Sequence, residues 1–344
     1  MSIHVRETQR ADPPPRRRRR WIRWVIGLLV AIMIGVPALG AATQKIGEVR
    51  DAGNNPPPGE LYDVGGFRLH LHCEGQGSPT VVMEHGLGNT SLVWHAVRPT
   101  LAAQTRTCVF DRAGYGWSDP GPAPRTHDRI VGEIYTLLHN AGIETPFIYV
   151  GHSFGGLDAA LYAARHPEDV AGLVLLDPAA PDAPERFAPY QPLQNAQIGL
   201  FDLCATWMPW GIVRLFDLIG SPDMLPAEMA DLNAIYYRPS YCQTARAELT
   251  DNTTSVTLQP LGDLPLILLS RSVPLDLTAI DERYTAANTA EFEALWQAAQ
   301  TDYLTLSSAS TQIIAPESGH NIHLDRPDLV IEAIQTMIAT IREG

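Results

Sequence analysis

The feature that most constrains the fold is the hexapeptide Gly151-His152-Ser153-Phe154-Gly155-Gly156. It follows Pro146-Phe147-Ile148-Tyr149-Val150, an apolar run that predicts a buried strand, and it precedes a predicted helix from Leu157 to Arg165. Ser153 is therefore expected on a sharp turn, flanked by residues small enough to let the backbone turn. A serine in this position is the sequence form of a nucleophile elbow. An ordinary strand-to-helix turn that contains a serine is the alternative.

A second loop lies where acyl-transfer chemistry would need it. Thr80-Val81-Val82-Met83 predicts another buried strand, which ends at Glu84-His85-Gly86-Leu87-Gly88. The glycines let this backbone approach a ligand closely. The N–H groups of Leu87 and Phe154 are the candidate donors of an oxyanion hole. His85 is equally compatible with a buried histidine bonded to the backbone, and we assign it no proton transfer.

A candidate base lies near the C-terminus. Thr311-Gln312-Ile313-Ile314-Ala315 predicts a strand, and Pro316-Glu317-Ser318-Gly319-His320 follows it before a helix that starts near Pro327. His320 is expected on a loop beyond a late strand, which fits the chain order Ser, acid, His. His323 is the alternative base, but the glycine before His320 gives that loop the freedom to reach inward.

Together these segments resemble the α/β-hydrolase fold over roughly residues 59–342. The turn Asp111-Arg112-Ala113-Gly114-Tyr115-Gly116-Trp117-Ser118 is similar to the turn after strand 4 of that family, and the segment from Gly319 to Pro327 is similar to its histidine segment. The resemblance implies a mostly parallel eight-stranded sheet flanked by helices, which alternating strands and helices also predict. A serine at position 153 disfavours the epoxide hydrolases and haloalkane dehalogenases of this fold, which use an aspartate there.

The resemblance leaves the acid open between two strands. Family members usually carry it after strand 7, here residues 265–270, but the Gly-x-x-Asp turn is absent and Asp276 lies unusually far before the histidine. After strand 6, residues 173–176, Asp177 begins an Asp-Pro-Ala segment similar to that of pancreatic-type lipases, in which this aspartate orients the histidine. We therefore favour Asp177, with Asp276 and then Asp281 as alternatives. A structural role for Asp177 is the competing interpretation.

The N-terminus carries a membrane signal. Arginines at 16–20 and at Arg23 precede an uncharged run of 21 residues from Trp24 to Gln44, which is long enough to cross a bilayer as a helix. The arginine excess predicts a cytoplasmic tail at residues 1–23 and an extracytoplasmic domain. We favour an uncleaved anchor, whereas the small residues 38–42 resemble a signal-peptidase site and would give a secreted protein. A twin-arginine signal and a basic nucleic-acid arm are weaker interpretations.

Charge divides the chain into two parts. Residues 1–23 carry a net charge of +6, which leaves −19 for the remainder of a chain whose formal charge is −13. A strongly acidic body is unsuited to binding nucleic acid or soluble anionic polymers. Residues 45–60, which contain three consecutive prolines, predict a linker between the anchor and one domain at 61–344. The histidine and cysteine spacings match no zinc motif and no phosphate-binding glycine loop is found, so we expect no metal and no cofactor.

The stretch between strands 6 and 7, residues 180–260, is too long for a loop and predicts a helical lid. Its apolar residues could cover a cleft, pack the lid to the body or touch a membrane. They are Phe201, Leu203, Trp207, Met208, Trp210, Ile212, Val213, Leu215, Phe216, Leu218 and Ile219.

Four cysteines in an extracytoplasmic domain can form two disulfides. In the resembled fold, the strands that carry Cys73 and Cys108 are neighbours, which implies one bridge between them and leaves Cys204 and Cys242 for the second. Four buried free thiols are the alternative.

The whole pattern predicts a serine hydrolase that cleaves a carboxylic ester of a hydrophobic, small or lipid-like substrate through an acyl-enzyme. Ser153 would attack the carbonyl, His320 would act as base and then acid, and Asp177 would hold the imidazole. The enzymatic alternative is an amidase similar to proline iminopeptidases. The non-enzymatic alternative is a ligand-binding protein that retains the fold and its pocket.

Overall fold

A single eight-stranded sheet forms the centre of the computed structural model, which describes residues 16–216, 218 and 225–343. The strand order is β1-β2-β4-β3-β5-β6-β7-β8. β2 is antiparallel to β1 and β4, and the other neighbouring pairs are parallel. This is the predicted, mostly parallel sheet. The strands are β1 Glu60–Asp63, β2 Arg68–Glu74, β3 Val81–Glu84, β4 Thr107–Asp111, β5 Phe147–His152, β6 Val170–Leu176, β7 Leu266–Arg271 and β8 Ser310–Ala315.

Helices cover both faces of this sheet. The α-helices of the described residues are α1 Arg16–Asn54, α2 Arg98–Ala102, α3 His127–Asn140, α4 Phe154–Arg165, α5 Ala183–Arg186, α6 Gln191–Trp207, α7 Ile212–Leu215, α8 Pro239–Asp251, α9 Leu277–Ile280, α10 Ala286–Leu304, α11 Ile322–Asp325 and α12 Pro327–Glu343. Short 3₁₀ helices lie at Ser91–Trp94, Pro167–Asp169, Ala188–Tyr190, Met208–Trp210 and Ala227–Tyr237.

The core consists of two layers, because successive strand residues point to opposite faces of a sheet. In β5, Phe147 and Tyr149 pack with α3 and α4, whereas Ile148 and Val150 pack with α2 and α12. All four side chains are fully buried. Burial on both faces explains why the central strands are continuous apolar runs instead of alternating ones. The parallel strands also bring their carboxyl ends to one edge of the sheet.

Helices α5 to α8 and three 3₁₀ helices occupy the segment between β6 and β7, here called the insertion and defined as residues 180–260. Of the apolar residues predicted for it, Ile219 lies outside the described residues. Met208 and Val213 are buried in a small cluster with Cys242. The closure of the insertion over a cleft stays a prediction.

The N-terminal apolar segment is one long helix. α1 has 39 residues, and its stretch Arg20–Asn54 contains an apolar segment that is long enough to cross a membrane by length and composition. The helix continues past Gln44, so residues 45–54 are helical, where the sequence predicts part of a linker. The reason is local, since Lys45 to Ala52 contains no proline and the helix ends just before Pro56, a residue that cannot continue it.

Two disulfides tie the domain together. Cys73 on β2 and Cys108 on β4 are direct cross-strand partners, with a Cα–Cα distance of 4.0 Å. Cys204 on α6 and Cys242 on α8 join two helices of the insertion at a Cα–Cα distance of 5.8 Å. These are the two pairings that the resemblance implies.

The double variant Cys73→Ala/Cys108→Ala should lose about 3–4 kcal/mol of unfolding free energy, because the bridge closes a loop of 35 residues in the unfolded chain. Denaturant unfolding of the detergent-solubilised chain measures this loss. A loss below about 1 kcal/mol would contradict the stabilisation expected from this loop closure. Mass tagging of the denatured, unreduced wild type should find no free thiol.

Candidate active site

Ser153 occupies the turn between β5 and α4. Its backbone has φ 53° and ψ −119°, a region that non-glycine residues rarely adopt. Such a conformation costs about 1–3 kcal/mol and persists only where the surroundings enforce it. Here the Ser153 N–H donates to Leu176 O at 3.0 Å and the Ala179 N–H donates to Ser153 O at 2.9 Å. A Cβ at Gly155 would lie 2.5 Å from His85 O, so this position must be glycine.

Ser153, His320 and Asp177 form one chain of hydrogen bonds. Nε2 of His320 lies 2.8 Å from Ser153 Oγ, and Nδ1 lies 2.6 Å from Asp177 Oδ2. Asp177 follows β6 directly, with φ 42°, and is fully buried. His320 lies on the loop after β8, with its side chain about one third exposed at 34%. The structure thus brings together the three residues favoured from the sequence.

The alternative residues lie elsewhere. Asp276 is exposed and caps α9, where its Oδ1 accepts from Thr278 N at 2.9 Å. Asp281 pairs with the neighbouring Arg283. His323 is fully buried and packs against Trp94 with tilted rings, 5.0 Å between the ring centroids, and burial holds its pKa well below the usual value. Neither aspartate bonds His320, and His323 does not bond Ser153.

Two residues that the sequence analysis missed also hold the Asp177 carboxylate. Trp296 Nε1 on α10 donates to Asp177 Oδ1 at 2.9 Å, and Arg271 Nη1 lies 3.4 Å from Asp177 Oδ2. Burial alone would raise the pKa of Asp177, but the hydrogen bond and charge of His320, the charge of Arg271 and the Trp296 N–H outweigh it and lower the pKa. Asp177 is therefore a carboxylate at neutral pH.

Arg271 could have been found from the sequence, whereas Trp296 could not. Arg271 is a charged residue at the end of an apolar strand, at the position beyond which the resembled fold usually places its acid. It also stacks on the Trp296 ring at 4.6 Å and pairs with Glu293 at 2.8 Å. Trp296 lies in the middle of a helix that is separated by more than a hundred residues from Asp177, and nothing in its local pattern points there.

His152 fixes the loop that carries the candidate base. Burial lowers the pKa of His152 to about 3, so its ring is neutral. Its Nε2 lies 2.9 Å from the carbonyl oxygen of His320 and must carry the proton, because a carbonyl only accepts. This hydrogen bond holds the His320 backbone beside the nucleophile.

The candidate oxyanion loop, residues 85–88, lies directly beside Ser153. A Cβ built on Gly86 would lie 2.8 Å from His152 Nδ1 and 3.2 Å from Ser153 Cβ, so a larger residue would push the loop away from both. Leu87 follows in the turn, and Gly88 has φ 66°. Phe154 is the first residue of α4, and its N–H belongs to the helix end that has no intrahelical acceptor.

Arg112 holds the candidate oxyanion loop in place by hydrogen bonds to its carbonyl oxygens. Its Nη1 donates to His85 O at 2.5 Å and its Nη2 donates to Gly86 O at 3.2 Å. The same buried guanidinium pairs with Glu248 at 3.0 Å and Glu84 at 3.2 Å. Burial would lower the pKa of Arg112, but the two carboxylates outweigh it and keep the group charged.

His85 and Asp111 have structural roles at this edge of the sheet. His85 Nδ1 lies 2.8 Å from Gly86 O, and burial lowers the pKa of His85 to about 3, so it stays neutral. Asp111 accepts from Ser91 N at 2.7 Å and from His70 at 2.8 Å, and thereby ties the loop after β3 to the end of β4.

Two aromatic residues of the insertion contact the candidate oxyanion loop at Gly88. Tyr241 on α8 donates its hydroxyl to Gly88 O at 2.7 Å. The ring of Phe201 on α6 also reaches Gly88, where a Cβ would lie 3.6 Å from the ring edge. Among the described residues, no three His, Cys, Asp or Glu side chains form a group that could hold a metal ion.

Comparisons with known proteins agree with this architecture. A family model described as alpha/beta hydrolase fold matches residues 79–202. The uncharacterized protein YqjL of Bacillus subtilis is 28% identical over 278 residues, which cover 80% of this chain and 90% of YqjL. Several further curated relatives are matched over less than half of their own length.

Solved structures show the same fold at low sequence identity. The epoxide hydrolase CorEH superposes with a TM-score of 0.61 at 19% identity, covering 82% of this chain and 98% of that one. A thermophilic esterase from Thermogutta terrifontis superposes with a TM-score of 0.59 at 20% identity, with the same coverage. The eight-stranded sheet, the family match and these superpositions together show that this chain has the α/β-hydrolase fold.

Proposed function

We propose that this protein is a serine hydrolase that cleaves a carboxylic ester of a hydrophobic substrate. The hydrogen-bond chain from Ser153 through His320 to Asp177 is the observation that carries the proposal. Because Asp177 is ionised, Nδ1 of His320 carries the proton and Nε2 is free to accept one from Ser153. A strained serine at the end of such a chain has an obvious use in catalysis and none in ligand binding.

The reaction consists of two acyl transfers. Ser153 Oγ adds to the ester carbonyl while its proton passes to His320 Nε2, and the N–H groups of Leu87 and Phe154 stabilise the oxyanion. The intermediate collapses, the C–O bond to the alcohol breaks, and His320 gives its proton to the leaving alkoxide. Water then attacks the acyl-enzyme by the same route and releases the acid and the free serine.

Two observations favour an ester over an epoxide as substrate. The nucleophile position holds Ser153, whose acyl ester is readily hydrolysed, and the glycine loop beside it offers N–H groups to a carbonyl oxygen. The resemblance to CorEH concerns the fold alone. Phe201 and Tyr241 of the insertion place aromatic rings next to Gly88, which favours a hydrophobic acyl or alcohol part.

We also propose that α1 anchors the protein in a membrane with the catalytic domain on the extracytoplasmic side. The arginine cluster before the apolar run and the two disulfides support this orientation. Gln44 is buried and donates to Tyr237 O at 2.7 Å, so the segment beside the possible signal-peptidase site is packed against the domain. This packing favours a retained helix over a cleaved signal.

The purified full chain should hydrolyse p-nitrophenyl esters, and Ser153→Ala should reduce kcat/KM by about 10⁴-fold or more because the nucleophile is removed. Ser308→Ala, a serine on the far side of the domain, is the matched control and should stay within about twofold. Equal turnover by Ser153→Ala and wild type would overturn the mechanism. Cleavage of p-nitroanilides but not esters by the wild type would instead favour an amidase.

A further inference from the structure

One face of the insertion exposes an unusual amount of apolar surface. Leu200, Leu203 and Trp207 are spaced i, i+3 and i+7 on α6, so they share one side of the helix, and their exposures are 69%, 60% and 45%. Soluble surfaces rarely present such contiguous apolar patches without a partner. The apolar face is defined as Leu200, Leu203, Trp207, Trp210, Leu215 and Phe216, all of which are exposed.

This face is continuous with the helix proposed to span the membrane. The backbone of Gly40 on α1 touches the backbone at Trp210 and Gly211, because a Cβ on Gly40 would overlap the carbonyl oxygen of Trp210 and one on Gly211 would overlap that of Gly40. Gly211 has φ 70°, a conformation suited to glycine. Gly40 lies inside the uncharged run 24–44, so the insertion meets α1 within its membrane-spanning part.

Polar contacts begin immediately beyond that point. Arg214 Nη1 donates to Asp51 at 2.5 Å and its Nε donates to Gln44 at 3.3 Å. The Arg214 guanidinium also lies 5.2 Å from the ring centroid of Tyr237. Between Gly40 and Asp51 the contact of α1 with the insertion therefore changes from close packing of uncharged backbone to an ion pair of side chains. Such a change marks the level at which a membrane-spanning helix leaves the bilayer.

The positions of four exposed tryptophans fit this boundary of the bilayer. Trp21 and Trp24 are exposed at one end of the apolar run, and Trp207 and Trp210 belong to the face that meets the run at Gly40. From Trp24 to Gly40 the helix rises about 24 Å at 1.5 Å per residue. A hydrocarbon core is about 30 Å thick, and tryptophan concentrates at both of its boundaries.

We propose that the apolar face lies in the outer leaflet of the bilayer that α1 spans, and that the substrate is an ester dissolved in that leaflet. The inner side of α6 supports the second part, because Phe201 reaches Gly88 beside the nucleophile while Leu200 and Leu203 point outward. Only about 10 Å, the width of one helix, separates bilayer and site at this point. The substrate part rests on the proposed serine hydrolase function, and the membrane part does not.

An environment-sensitive label tests the membrane part without catalysis. Leu203→Cys carrying a nitrobenzoxadiazole group, in the full chain in phosphatidylcholine vesicles, should show blue-shifted emission and quenching by lipids spin-labelled near the headgroup. The same label at Ala339→Cys is the control, since this exposed residue of α12 lies less than one helical turn from Arg342, which bonds Ser78 O at the opposite edge of the sheet. Emission at position 203 that matches position 339 and resists the quencher would overturn the proposal.

Turnover of two esters tests the substrate part. Leu200→Ser/Leu203→Ser should lower the rate on a long-chain ester embedded in the vesicles, relative to the rate on water-soluble p-nitrophenyl acetate, by at least tenfold. Leu275→Ser/Ile280→Ser removes two exposed apolar side chains outside the insertion and should leave this ratio unchanged. An unchanged ratio in the first variant would overturn membrane delivery. Failure of the wild type on both esters would overturn the proposed function. The fluorescence of the label at position 203 would still test whether the apolar face lies in the bilayer.

Discussion

Asp177→Asn should lower kcat/KM for a p-nitrophenyl ester by about 10⁴-fold, the loss expected when a triad histidine is held in the wrong tautomer. Trp296 Nε1 donates to Oδ1 of Asp177, so an asparagine here turns its carbonyl oxygen toward the indole. The side-chain NH₂ group of this asparagine then faces Nδ1 of His320. Because an amide NH₂ group only donates, Nδ1 must be the unprotonated ring nitrogen and accept. The ring proton moves to Nε2, and His320 can no longer take a proton from Ser153.

Asp276→Asn is the matched control for this substitution. Asp276 is exposed and only caps a four-residue helix, so its variant should keep kcat/KM within about twofold. Both variants should give the wild-type far-ultraviolet circular dichroism spectrum. A strong loss in Asp276→Asn with little effect of Asp177→Asn would move the acid to the loop after β7 and contradict the assignment.

The second large effect is on stability. Arg112→Met should reduce the free energy of unfolding by about 3–5 kcal/mol, because removing one partner of a buried ion pair leaves uncompensated charge. Arg112 is fully buried between Glu84 and Glu248, and it donates to the carbonyl oxygens of His85 and Gly86. The variant should therefore also lose kcat, since the candidate oxyanion loop is no longer fastened.

Urea unfolding of the detergent-solubilised chain measures this loss. Arg165→Met removes an ion pair with Asp128 in which both side chains are exposed, and such pairs contribute about 0–1 kcal/mol. The contrast between the two variants isolates the effect of burial. An Arg112→Met protein as stable as Arg165→Met would contradict the account of the buried network.

The parts of the fold that follow from local sequence were predictable. β5 and α4 flank Ser153 because an apolar strand run and a helix-forming run meet at small residues, and both signals lie within about twenty residues. The parallel core strands were equally predictable, since burial on both faces makes them continuous apolar runs. The two disulfide pairings came from neighbouring strands of a resembled fold and not from the spacing of the cysteines.

The surroundings of the acid follow from the sequence only in part, since the position of Arg271 at the end of a strand is visible there and the contact of Trp296 is not. Asp177 receives its support from Arg271 on β7 and Trp296 on α10, which follow it by roughly a hundred residues. Sequence pattern identifies the end of a strand but not which helix of a later segment packs against it. The position of α1 against the domain could not be predicted either. Its contact with the insertion depends on Gly40 and Gly211, which lie far apart in the sequence and belong to no common pattern.

The central claim is that Ser153 is an activated nucleophile, and a fluorophosphonate probe tests it most directly. The intact wild-type chain should gain one probe mass, located on the peptide that contains Ser153. Labelling should vanish in Ser153→Ala and fall sharply in His320→Ala and Asp177→Asn. A folded wild type that takes no label, or takes it on another residue, would contradict the account.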